Sequence, residues 1–110
     1  MTTPGAVVVS RLSTEFVIVP VNAVFDGQTF NPTQDLVQFA FTAGYGVIPS
    51  AWINGSWDVN PVQGIWYNAK CLIGPGSNAT PLAPGTYTVW VRITDNPETP
   101  VRQAGTLIIQ

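Results

Sequence analysis

The stretch Leu82-Ala83-Pro84-Gly85-Thr86-Tyr87-Thr88-Val89-Trp90-Val91-Arg92-Ile93-Thr94 decides the fold. After a turn at Pro84 and Gly85, Tyr87, Val89, Val91 and Ile93 alternate with Thr86, Thr88, Trp90, Arg92 and Thr94. Successive side chains of an extended chain point to opposite faces, so one face of this strand is core and the other mostly wet. Residues 95–100 then read as a loop, and 101–109 returns as the last strand of a closing hairpin.

Working outward, residues 36–42 alternate in the same way, with Val37, Phe39 and Phe41 inward and Gln38, Ala40 and Thr42 outward. Ten Gly and ten Pro cut the chain into short segments and leave no window with helical apolar spacing. The segments between breaks are rich in Val, Ile, Thr and aromatics, which fit a pleated surface. Strands are therefore predicted at residues 6–12, 15–21, 36–42, 46–53, 56–59, 65–73, 86–94 and 105–109. The expectation is one all-β domain over residues 1–110, an antiparallel β-sandwich, with residues 1–13 an N-terminal arm or its first strand.

The 15–21 segment does not alternate: Phe16, Val17, Ile18 and Val19 are apolar in succession. Such a strand is covered on both faces, either centrally or by another chain. Pro20 cannot donate to a ladder and argues against a fully paired centre, so cover by a partner gains weight. The same reasoning applies to the run Ala6, Val7, Val8 and Val9. The candidate partner interface is accordingly Ala6, Val7, Val8, Val9, Val17, Val19 and Trp90, with the arm expected to pair with a neighbouring subunit's edge.

Charge points the same way. Only 9% of the residues are charged, four basic and six acidic, where an average domain carries about 25%. A monomer of 11.8 kDa exposes about 5,900 Å², so its surface is mostly Thr, Asn, Gln, Pro and apolar groups. That suits a subunit hidden in an assembly. A net charge of −2 without a basic run excludes general binding to nucleic acid or to an anionic membrane. The first ten residues lack the basic start and apolar core of a signal peptide, and synthesis in a cytosol is expected.

No catalytic set emerges. Histidine is absent, and Cys71 alone can form no internal disulfide and lacks a base, so it reads as a buried free thiol. Glu15, Asp26, Asp35, Asp58, Asp95 and Glu98 are scattered without a spacing that selects an acid–base pair. Gly74-Pro75-Gly76-Ser77-Asn78 is glycine-rich, but no lysine follows and no helix is predicted behind it. No cofactor or metal is expected. Asn54-Gly55 is a strong hairpin signal of the type I′ kind, and in that register Trp52 faces Trp57. Trp52, Trp57 and Trp66 would then form a flat platform for sugar rings, although tryptophans fill cores and interfaces far more often.

The start of the deciding stretch resembles the sixth strand of immunoglobulin-like and fibronectin type III sandwiches, where a tyrosine just inside the strand bonds back to the preceding corner. From Trp66-Tyr67-Asn68 through Leu82-Ala83-Pro84-Gly85-Thr86-Tyr87 to Asp95-Asn96-Pro97-Glu98-Thr99-Pro100-Val101, the chain looks like small immunoglobulin-like virion proteins of tailed bacteriophages. The pattern is also similar to the N-terminal domain of phage baseplate upper proteins. The resemblance implies a non-enzymatic structural role in repeated copies, on the capsid surface as decoration or at the head-to-tail neck. Its partners would be other virion proteins, and its location the virion. The competing reading is a tail or baseplate carbohydrate-binding module for host attachment.

Overall fold

The computed structural model describes residues 7–21, 24–25, 28–29, 32–44, 46–58, 67–94 and 99–110. In chain order the strands are β1 (Val7–Val9), β2 (Glu15–Val21), β3 (Val24–Phe25), β4 (Gln28–Thr29), β5 (Leu36–Ala43), β6 (Ile53–Asn54), β7 (Ser56–Trp57), β8 (Tyr67–Ile73), β9 (Gly85–Thr94) and β10 (Val101–Ile109). A 3-10 turn, Pro32–Gln34, precedes β5. The larger sheet has the order β1-β10-β9-β5-β6 and the smaller β2-β8-β7, while β3 and β4 form a separate short pair. Among the described strands every ladder is antiparallel except β1 with β10, and an isolated parallel bridge joins Ile73 to Thr80. The three neighbours β10, β9 and β5 facing β2, β8 and β7 make the fold an all-β, two-sheet sandwich.

The inner faces follow the alternation. Val37 and Phe39 of β5, Val89 and Val91 of β9, and Leu107 and Ile109 of β10 meet Val17, Val19, Ala69, Cys71 and Ile73 of the smaller sheet in one buried cluster. Phe41, Tyr87 and Ile93 pack against that cluster and are only half-buried. A register shift between Gln103 and Gly105 turns Ala104 inward, as an extra residue in one strand does. The Tyr87 hydroxyl donates to the Ala83 carbonyl at 2.7 Å, which is the corner expected at the start of β9.

The outer face of β5 is drier than its alternation predicts. Ala40 and Thr42 are buried there because Trp90, opposite Ala40 on β9, lies across them and donates its Nε1–H to Thr42 Oγ1 at 2.9 Å. One indole thus covers two small side chains, and the large aromatic sits on the face expected to be wet.

Three sequence expectations are corrected. Residues 46–53 do not form a strand: only Ile53 and Asn54 join a ladder, and Gly44 and Gly46 hold φ of 82° and 81°, which breaks the extended run after β5. The second concerns Asn54-Gly55, which is not a hairpin turn. Asn54 and Ile53 pair with Gln38 and Phe39 of the larger sheet, whereas Ser56 and Trp57 pair with Lys70 and Ala69 of the smaller one. The chain crosses between sheets at Gly55, whose φ lies outside the left-handed region and whose N–H donates to the Val37 carbonyl at 2.8 Å. Glycine is required for close approach: a Cβ here would stand 2.8 Å from the Lys70 carbonyl oxygen and from the Phe39 ring.

The third correction is the expected pairing of the N-terminal segment with a neighbouring subunit; of its two expected forms, arm or first strand, the second is observed for Val7–Val9. Val7, Val8 and Val9 pair in parallel with Leu107, Ile108 and Ile109 of the same chain. Gln110 N–H donates to Val9 and Arg11 N–H to Gln110, at 2.9 and 2.7 Å, closing that end of the ladder. This segment is the first strand of its own sandwich. Val9 reaches the core from it, so the apolar run is explained locally for one side chain in three.

Candidate functional site

The residues singled out from the sequence fall into three places. Val9, Val17 and Val19, expected at a partner interface, are core. Val17 and Val19 of β2 share their parity with Ala69, Cys71 and Ile73 across the register, and all five point to the inner face. Val7 and Val8 remain on the surface at 44% and 53% exposure. Trp90 is half-buried over Ala40 and Thr42, and Ala6 lies outside the described residues.

The tryptophan platform is not assembled as expected. Trp57 belongs to the smaller sheet, packs against the core and donates its Nε1–H to the Asp35 carbonyl at 3.0 Å. Trp52 lies beside the larger sheet with the Arg92 guanidinium stacked 4.3 Å from its ring. Arg92 donates from Nε to Gln38 Oε1 at 3.0 Å and also from Nη2, and Gln38 passes a 3.0 Å bond on to Asn54 Oδ1. One face of Trp52 is therefore covered by a cation held in place by neutral amides. Trp66 lies outside the described residues.

The surface that sequence reasoning missed is the other parity of β2. Phe16 and Ile18 are 48% and 51% exposed on the outer face of the smaller sheet, opposite Leu72 and Lys70 of β8. Lys70 stands 4.8 Å over the Phe16 ring and forms an ion pair with Asp58 at 2.8 Å. The ammonium's hydrogen bond to Asp58 is the main reason that carboxyl is held below its ordinary range. Four consecutive apolar residues carry no signal of which pair faces inward. The small residues Ala69 and Cys71 on β8, opposite Val19 and Val17, were the one available hint.

β2 is also an edge. Among the described residues it pairs only with β8. The carbonyls of Asn68 and Leu72 accept from Asp58 N–H and Thr80 N–H on the far side of β8, both at 3.0 Å. In an antiparallel ladder these even-numbered residues turn their backbone away from β2, so β2 bonds to β8 through Glu15, Val17 and Val19. The N–H and C=O groups of Phe16 and Ile18, and the C=O of Pro20, consequently face the open edge. Proline is tolerated at that position because no ladder bond is asked of it. Alongside the same edge a small open apolar cleft lies between β2 and β10, lined by Val7, Val17, Val19, Ala104 and Leu107.

Cys71 is buried, and desolvation pushes its thiol up to about 11. Among the described residues no cluster of His, Cys, Asp or Glu has the makeup of a metal site. Compared with protein-family models, curated proteins and solved structures, the chain finds no match in any of the three.

Proposed function

We propose that this chain is a non-enzymatic structural subunit of a tailed-bacteriophage virion, carried in repeated copies as a capsid-surface decoration or a head-to-tail neck protein. The observation that carries the reading is the apolar side of the sandwich. Phe16 and Ile18 of β2 and Val7 of β1, which lines the cleft beside Ile18, are all close to half exposed, and among the described residues β2 pairs on one side only. A chain with ten charges has little polar surface with which to keep such a patch in water. The phage setting rests on the resemblance of residues 66–101 to small immunoglobulin-like virion proteins.

The glycan-binding alternative lacks the expected Trp52–Trp57 pair, since Trp57 belongs to the smaller sheet while Trp52 lies beside the larger one with Arg92 stacked on it. Quantitative mass spectrometry of gradient-purified particles of the phage that encodes the chain tests the proposal. The chain is expected in a fixed, multi-copy ratio to the major capsid protein. Its absence from washed particles, with all of it free in the lysate, contradicts the reading. Saturable quenching of tryptophan fluorescence by cell-wall glycans, lost in Trp52→Ala, would favour the module instead.

A further inference from the structure

We infer that β2 pairs with β2 of a second copy of this chain, antiparallel about a two-fold axis at Val17, joining two three-stranded sheets into one of six. The inference rests on the reading of the chain as a subunit in repeated copies and names its first partner.

The edge is complementary to itself. With Val17 opposite Val17 of the second copy, Phe16 lies opposite Ile18, and each pair exchanges two backbone hydrogen bonds. Four bonds form, all from groups that face the open edge, and none calls on the nitrogen of Pro20. Centring the pair on Ile18 instead would set Phe16 opposite Pro20, and its C=O would meet no donor. The proline therefore disfavours that register, which would leave the Phe16 C=O of each copy without a partner.

The side chains agree with that register. On the outer face Phe16 of each copy comes beside Ile18 of the other, within the roughly 5 Å of directly opposed residues, which covers the two half-exposed groups laterally. On the inner face the two Val17 residues meet at the mouth of the cleft between β2 and β10. Charge does not oppose it. Glu15, the one ionisable residue of β2, lies opposite Val19, so the two Glu15 are about 14 Å apart at four residues' rise, beyond the Debye length of roughly 8 Å at physiological salt. Lys70 beside Phe16 is already paired with Asp58. An isologous pair uses both edges and leaves neither open, so association stops at two along this edge.

The test is sedimentation equilibrium of the full chain from micromolar to millimolar concentration. A dimer of twice 11.8 kDa is expected at the upper end. Ile18→Pro removes an N–H that faces the open edge and serves no bond to β8, so the sandwich should fold and the dimer dissociate at least tenfold more readily. Phe16→Lys should do the same, and it keeps the test alive if the proline variant misfolds by circular dichroism. Mixing chains that carry Phe16→Cys with chains that carry Ile18→Cys should give a disulfide-linked dimer under mild oxidation, while neither variant alone does. A monomer at every concentration overturns the inference, including the case in which residues 1–6 of the same chain occupy the edge. A dimer indifferent to both edge variants, or cross-linking by Ile18→Cys alone, overturns it also. A chain that is monomeric yet present in purified particles defeats the pairing alone, and a dimer absent from particles defeats only the virion reading.

Discussion

Tyr87 donates its hydroxyl to the carbonyl of Ala83, four residues upstream, at 2.7 Å. The ring packs against the core while the hydroxyl pins the turn that launches β9, so one side chain ties the corner to the strand that crosses the middle of the larger sheet. Tyr87→Phe keeps the ring and loses the bond. Stability should fall by about 1 kcal/mol, the usual net worth of such a bond. A urea midpoint shifted by that amount at unchanged slope is the expected reading; an unmoved midpoint would show that the corner holds without its tyrosine.

Gly55→Ala tests the crossing between sheets. The added methyl would stand 2.8 Å from the Lys70 carbonyl oxygen and from the Phe39 ring, and Phe39 is fully buried, so neither neighbour gives way cheaply. Overpacking of this kind costs about 1–3 kcal/mol. Thermal unfolding should register a lower midpoint, and the larger part of the loss should return when Phe39→Leu makes room.

The stacked pair Trp52 and Arg92 should couple measurably. Arg92 is part-buried and fixed by Gln38, so its guanidinium is already ordered over the indole ring. A double-mutant cycle with Trp52→Ala and Arg92→Ala should return an interaction of about 0.5–1 kcal/mol. Additive losses would mean that each residue contributes only its own packing.

Cys71 should resist thiol reagents until the fold opens. Burial disfavours the thiolate and raises its pKa from 9.0 to about 11. The unfolded chain therefore ionises first as pH rises. The thiol's contribution is fully present below pH 9 and is lost between about 9 and 11, on the order of 2–3 kcal/mol for a shift of that size. Native chain at pH 8 should react with a thiol dye only at the rate of global unfolding, and Cys71→Ala should flatten the alkaline loss of stability. Rapid labelling of folded protein would contradict the burial.

What could be read from the sequence by itself was whatever depends on neighbours one or two residues away. The period of two in 36–42 and 86–94 placed Val37, Phe39, Val89 and Val91 inside, because alternation of side chains is a property of the extended backbone alone. The Pro84-Gly85 turn with Tyr87 behind it placed the corner for the same reason, and Pro20 argued against a fully paired centre for β2, which among the described residues pairs only with β8. Tertiary structure decided the rest. Phe16-Val17-Ile18-Val19 has no local asymmetry, so only pairing with β8 and packing against the larger sheet turned the valines inward and left Phe16 and Ile18 at the surface. Val7–Val9 became a first strand because β10, about a hundred residues away, offered it a ladder. Asn54-Gly55 has the local preference for a hairpin, but that preference is small beside the roughly 1.5–3 kcal/mol of burying a side chain such as Phe39. Seating that ring and bonding Gly55 N–H to Val37 carried the chain across to the other sheet, and with it went the expected tryptophan pair.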